Sequence, residues 1–240
     1  LGGWILFKIV KTAFCFSGEL RSIDKIFFIL KEKVLNMFTD YDIFYYTWND
    51  DPDIHKLHYL ENDAHIKDVL IEDRICVTEH PRYSQTKRQE VSVQGLLRQL
   101  YCLKKCNELK YKYENKNNFE YDIVVRIRPD ILVVNNTSLE KTIENWNMKN
   151  YVYTTDHDDH HGYNDRFYFS NSENMNFLCN RLDLLDYYID LGGRFHYETF
   201  LKFCILYKNL NISRSKMEFV LLRNNGDLSG ELNDNKLINI

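Results

Sequence analysis

The residues best suited to chemistry fall in short clusters. These are Ser17-Gly18-Glu19-Leu20-Arg21, Arg126-Ile127-Arg128-Pro129-Asp130, the run DHDDHHGYND from Asp156 to Asp165, and Glu198 in HYETFLKF. A guanidinium is a rigid fork that matches phosphate or carboxylate oxygens, so Arg21, Arg126 and Arg128 suit an anionic ligand such as a diphosphate. A Ser-Gly turn adds backbone amides that can approach the same anion closely. Asp130 suits a divalent cation held against a diphosphate, with substrate oxygens and water as the remaining ligands. His157 or His160 could complete that shell. Asp165 stands in a substrate-binding loop beside a strand, and Glu198 suits an acceptor ligand or a base.

Each cluster also has a plainer structural reading. SGELR makes a turn and a helix N-terminus, where Glu19 favours the dipole. Asp130 can pair internally with Arg126 or Arg21. The His/Asp run can be a solvated loop, and it lacks the regular spacing of a helical zinc site. Glu198 can favour the start of its helix. Cys102 and Cys106 are four apart on a helix and would need further ligands from elsewhere to hold zinc.

The elements that must position these residues follow from periodicity. Ile9 to Phe16 is an apolar run ending in Ser17-Gly18, and Ile23 to Phe38 has helical spacing through Ile26, Ile29, Leu30, Val34 and Met37. Tyr41 to Thr47 is a second strand ending in the loop WNDDPD, so the first fifty residues predict a βαβ unit with parallel strands. Ile75 to Thr78 is a short strand candidate, and HPRYSQTKRQEVS has loop composition. Val91 to Tyr113 predicts a long helix with a basic and polar face, Asp122 to Arg128 a strand closed by Pro129, and Tyr151 to Thr155 another. RFYFS is a strand, Ser172 to Ile189 a helix capped by Ser172, Tyr197 to Tyr207 a helix, and Phe219 to Leu222 a last strand. Alternating strands and helices imply one mostly parallel, doubly wound α/β sheet of Rossmann type with helices on both faces, which binds ligands at the carboxyl ends of its strands. The clusters fall at those ends.

Composition narrows the partners. A length of 240 residues fits one domain, and a formal net charge of -4 gives no broad electrostatic footprint for nucleic acid. The six cysteines form no CxxC pair, which predicts reduced, buried thiols and a cytoplasmic protein. The apolar opening LGGWILFKIVKTAFCFSG is interrupted by Lys8 and Lys11, so a first strand is expected there and no membrane span. Abundant Asn, Lys, Ile, Tyr and Phe point to an AT-rich genome.

The ordered series FCFSGELRSIDK, YDIFYYTWND, QLYCLKKCNEL, YDIVVRIRPDILV, HGYNDRFYFSNSENM and HYETFLKFCILY resembles the GT-A-like glycosyltransferases of bacterial surface-polysaccharide loci and large DNA viruses, and is similar to WavE-type lipopolysaccharide-synthesis proteins. The resemblance runs from about Lys11 to Arg223. It implies a single GT-A-like domain, with a nucleotide-sugar-binding half over about residues 9–134 and an acceptor-binding half over about 151–223. It also implies transfer of a sugar from a nucleotide-sugar to a glycan hydroxyl, in the host cytoplasm if the protein is viral.

By position, Ser17, Gly18, Glu19 and Arg21 would contact the nucleotide, Thr47, Trp48 and Asp50 would border base or ribose, and Gln99 and Tyr101 would face the same pocket. Arg126 and Arg128 would neutralise the diphosphate. Asp130 and His157 would hold Mn2+ or Mg2+, and Asp165, then Glu198, would act as the base. Arg128 stands where the first acid of the family's DxD metal motif belongs, which puts the metal in question; Asp156-His157-Asp158 is itself a literal DxD. Two other functions fit the residues: a nucleotide- or sugar-binding module without turnover, and a metal-dependent phosphoesterase built on the Asp156 to Asp165 cluster.

Overall fold

Ala13, Phe14, Cys15 and Phe16 are all buried, so the strand that carries them, β1 (Lys11–Ser17), is covered on both faces. The side chains alternate between two layers. Phe14 and Phe16 join a core that includes Ile26, Phe27 and Leu30 of helix α1 (Ile23–Lys33), while Ala13 and Cys15 join one that includes Leu96, Leu100 and Leu103 of a long helix on the other face. The coordinates are a computed structural model, which describes residues 10–75, 92–144 and 150–229.

Strand β2 (Asp40–Trp48) pairs with β1 in parallel, Phe14 opposite Ile43, which completes the expected βαβ unit. The helix is shorter than its periodicity predicts: α1 stops at Lys33, and Leu35–Met37 forms one 3-10 turn. After a helical turn α2 (His58–Glu61), strand β3 (Ile66–Glu72) pairs in parallel with β2. Helix α3 (Val93–Asn117) follows, its N-terminus capped by Ser92, whose Oγ accepts a bond from the Gly95 amide at 3.3 Å, and its C-cap is Asn118 in the left-handed region. The candidate strand at Ile75 to Thr78 lies largely outside the described residues.

Strand β4 (Ile123–Ile127) pairs in parallel with β1, Phe16 opposite Ile127. The chain then turns at Pro129 into β5 (Ile131–Asn135) and α4 (Thr137–Glu144). Strand β6 (Tyr151–Thr155) and β7 (Phe167–Ser170) come next, then α5 (Ser172–Cys179), α6 (Leu185–Asp190) and α7 (Tyr197–Tyr207). Strands β8 (Asn211–Ser215), β9 (Glu218–Leu222) and β10 (Leu228–Ser229) complete the described chain.

The result is a mixed α/β fold around a large, mostly parallel sheet with strand order β3-β2-β1-β4-β7-β6-β8. Only β7 runs against its neighbours in that sheet. A second, antiparallel sheet, β10-β9-β5, was not expected from the sequence; it shares the α1 core through Ile131, Val133, Phe219 and Leu221. The expected single helix over Ser172 to Ile189 is broken after Cys179 by a 3-10 turn, and its cap is Asn171, which accepts from the Asn174 amide at 2.9 Å. Cys15, Cys102, Cys106, Cys179 and Cys204 are free and buried. No helix among the described residues is long and apolar enough to cross a membrane.

One buried ionic cluster pins α3 to the sheet. Glu114 accepts from the Tyr121 amide at 2.9 Å, from Ser172 Oγ at 2.7 Å and from Lys110 Nζ at 2.9 Å, and Lys110 also donates to Ser172 Oγ at 2.6 Å and Asn176 Oδ1 at 2.8 Å. It ties α3 to the entry of β4 and to the first turn of α5. Glu114→Ala strands a buried ammonium, so we expect a loss of about 3–5 kcal/mol in urea unfolding, with Lys110→Met/Glu114→Leu restoring much of it.

Candidate functional site

The strand order reverses at β1, with β2 and β3 on one side and β4 on the other. Ligands in open α/β sheets bind where the strands diverge at such a switch point, beyond their carboxyl ends. Because β1 and β4 are parallel with Phe16 opposite Ile127, Ser17 and Arg128 leave the sheet side by side. A cleft of about 250 Å³ opens there, and it is lined by the turn after β1, the RPD corner after β4, Trp48 at the end of β2, and the first turns of α3 and α7.

Its chemistry is that of an anion site. Five arginines line it, Arg21, Arg74, Arg98, Arg126 and Arg128, against two carboxylates, Glu19 and Asp130. The carboxylates are engaged. Asp130, fully buried, accepts from Arg128 Nε at 2.9 Å and Nη2 at 2.9 Å and from Arg21 Nη1 at 2.6 Å, while Arg223 Nη1 lies 3.7 Å away. Burial works to raise the Asp130 pKa, but Arg128 and then Arg21 outweigh it and hold the carboxyl well below the usual range. Arg128 responds in kind: burial would lower its pKa, and Asp130 raises it above the ordinary arginine value. Glu19 Oε1 accepts from Arg74 Nη1 at 2.9 Å, and its Oε2 is 3.6 Å from Arg21 Nε.

Arg126 differs. It is the penultimate residue of β4, is 1% exposed, and its Nε and Nη1 have no hydrogen-bond partner among the described residues. Burial draws its pKa below the ordinary arginine value. Ser17 Oγ, in a residue 5% exposed, likewise has no partner among the described residues. The turn between them and α1 is built from two left-handed residues, Gly18 at φ 110° and Arg21 at φ 47°. Glycine adopts that region freely; for Arg21 it costs about 1 kcal/mol or more, held by Lys56 Nζ on its carbonyl at 2.5 Å and by Asp130 on its side chain.

Of the residues expected to bind nucleotide, Ser17, Gly18, Glu19, Arg21, Trp48, Gln99, Arg126 and Arg128 line the cleft. Thr47, Asp50 and Tyr101 do not. Thr47 Oγ1 donates to Asp51 Oδ2 at 3.1 Å, and that oxygen also takes the Leu20 amide at 2.7 Å, so Thr47 shapes the turn from below. Asp50 holds Arg74 Nε at 2.8 Å, and Tyr101 stacks behind Trp48 at 5.8 Å.

The two expected bases also lie outside the cleft lining. Asp165 is 2% exposed, accepts from Gln99 Nε2, lies 4.0 Å from Arg181 Nη2, and supplies negative charge felt by Arg126 and Arg128. Glu198 is also buried; His196 Nδ1 lies 2.9 Å from its Oε2 without hydrogen-bond alignment, and Arg166 Nη2 is 3.7 Å from Oε1. Tyr197, which does line the cleft, has a pKa raised to about 12 by burial and then by Asp165.

The expected cation ligands fare differently. His157 packs edge-on against Phe219 at 4.6 Å, and burial lowers its pKa. Asp158 is held by Arg166 at 2.5 Å, and Asp159 by Arg214 and by the Asn164 amide. The donors around Asp130 do not suit a divalent cation, which needs several oxygen ligands and finds guanidinium groups there instead. Among the described residues, no group of three or more His, Cys, Asp or Glu is placed to hold a metal ion.

Sequence reasoning missed Arg74, Gly95, Arg98, Cys102 and Tyr197. Gly95, Arg98, Gln99 and Cys102 recur at three and four residues, one face of a helix, so the spacing around Gln99 carried the signal. Arg74 follows strand β3, which was itself missed.

Comparison with known proteins places the chain in a family. It belongs to the family described as "Domain of unknown function (DUF7796)", whose model matches residues 8–226 and so takes in every strand of the main sheet. A search of curated proteins gives no match.

The Asp130 cluster predicts an acid profile. A carboxylate whose folded pKa is depressed contributes stability that is complete above the unfolded-chain value near 4 and is lost as pH falls toward the folded value. Asp130→Asn should cost about 3–5 kcal/mol at pH 7, because it leaves Arg21 and Arg128 without their buried counter-charge. The gap from wild type should narrow steadily below about pH 5 in denaturant titrations.

Proposed function

We propose that the chain is a glycosyltransferase that takes a sugar from a nucleotide-sugar donor to a glycan hydroxyl. The observation that carries this reading is the arginine-lined cleft at the β1/β4 switch point, where the two unpartnered donor groups, Ser17 and Arg126, converge with the Gly18 turn and Trp48. A diphosphate fits the arginines, and Trp48 adds an apolar wall to the cleft. The resemblance of the ordered motifs to GT-A-like enzymes supplies the reaction class.

In that reaction the acceptor oxygen bonds to the anomeric carbon as the bond from that carbon to the diphosphate oxygen breaks. The nucleoside diphosphate leaves with the electron pair, and the arginines stabilise the charge that develops on it. If the configuration inverts, the acceptor proton passes to a carboxylate, with Asp165 and then Glu198 as the candidates.

A second reading, a nucleotide- or sugar-binding module without turnover, is favoured by one observation: both carboxylates in the cleft are held by arginines, and Asp165 is held by Gln99. The phosphoesterase reading draws no support from Asp158 and Asp159, which are engaged by Arg166 and Arg214.

A thermal-shift panel of UDP, GDP, CMP and dTDP with their sugar conjugates tests the donor class, since selective binding raises Tm by mass action. One nucleotide should stabilise the protein, and sugar release or transfer from its conjugate should accompany it. Asp165→Asn or Glu198→Gln should lower kcat by about 10²–10⁴ with donor binding kept if either is the base. Binding with no turnover, unchanged by Asp165→Asn, supports the module; no shift with any nucleotide removes the proposed function.

A further inference from the structure

We infer that the cleft binds the diphosphate of its ligand without a divalent cation, through Arg126 and Arg128 with Ser17 as a neutral donor. This rests on the nucleotide-sugar reading for the identity of the ligand, but its physical basis is independent of it.

A hard cation needs a cage of oxygens, several of them anionic. The cleft offers two carboxylates, and neither is available. Both oxygens of Asp130 accept hydrogen bonds from Arg128, and one of them also from Arg21. Both oxygens of Glu19 face guanidinium groups, those of Arg74 and Arg21. A cation entering here would have to displace arginines and then sit among those that remain.

The complementary observation is on the donor side. A buried charged group without partners is costly, and such groups persist where something completes them. Arg126 is 1% exposed, lines the cleft, and has two donor nitrogens without a partner among the described residues. Asp165 compensates its charge from a distance without taking those hydrogen bonds. Ser17, 5% exposed on the neighbouring strand, presents a hydroxyl in the same condition. Two buried residues from adjacent parallel strands therefore line one cleft, each with hydrogen bonds still to be made. Phosphate oxygens accept several such bonds at once, and Arg128, anchored on Asp130, adds charge beside them.

The test is calorimetric titration of inorganic pyrophosphate, UDP, GDP and dTDP into the full chain, each in EDTA and in Mn2+ or Mg2+. We expect a nucleoside diphosphate and pyrophosphate to bind in EDTA with an affinity within about threefold of that with metal. Arg126→Met should weaken both at least tenfold while leaving the Tm of the free protein unchanged or raised, because it replaces a buried guanidinium whose Nε and Nη1 hydrogen bonds are unmade by an apolar side chain. Ser17→Ala, a smaller change on the same ligand face, provides a second variant should Arg126→Met fail to fold, and should weaken binding severalfold. Binding that requires the metal overturns the inference and leaves the nucleotide-sugar reading standing. Pyrophosphate binding in EDTA with no nucleoside diphosphate bound supports the cation-free site and removes that reading. No binding under any condition overturns both.

Discussion

The buried carboxylate of Asp130 is the constraint on which this end of the molecule depends. It cannot be dehydrated alone, so it draws Arg128 from its own corner and Arg21 from the loop after β1 onto the same two oxygens. Its carbonyl meanwhile accepts the Leu222 amide at 2.9 Å, and Ser22 Oγ donates to the Leu222 carbonyl at 2.8 Å. The main sheet, the small sheet and the N-terminus of α1 are thereby joined at one point. The left-handed backbone of Arg21 is a local cost of bringing its guanidinium there.

Division of labour among the arginines follows from that anchor. Arg21 and Arg128 face inward to Asp130, Arg74 is held by Asp50 and Glu19, and Arg181, outside the cleft lining, donates through Nη1 to Tyr168 and the Leu178 carbonyl. Arg126 stands near the end of its strand with Asp165 offsetting part of its charge and with Nε and Nη1 unspent. A site arranged this way is organised before any ligand arrives, because the surrounding ion pairs fix where each guanidinium can be. The Asp165 carboxylate belongs to the same electrostatic set and sits behind the cleft.

Much of this was legible in the sequence where local pattern and local chemistry agree. Pro129 ends a strand whose apolar residues require burial, so charges on either side of it must meet partners or ligand, and they do. The SGELR turn was legible for the same reason. Strands β3 and β8 were not, because they lie on the edges of the sheet, where Lys67 and Asp68 break the apolar alternation of β3 and β8 has Ile212 as its single apolar residue. The separate small sheet was illegible because β5 is defined by pairing with β9, Ile131 opposite Leu221, a contact remote in the chain. The partners of Asp165 were not legible for a like reason: Gln99 and Arg181 come from helical turns distant in the chain.

Trp48 gives the cleft an optical property. It is 2% exposed, lies nearly parallel to Tyr101 with an interplanar angle of 14°, and has the Arg74 guanidinium 5.8 Å from its ring. Indole emission responds to nearby charge and to the rigidity of its surroundings, and here a guanidinium of the cleft itself lies beside the ring. An anion bound in the cleft would change the field on the ring. The molecule thus carries its own fluorophore at the wall of the cleft, on the strand next to the one that bears Ser17.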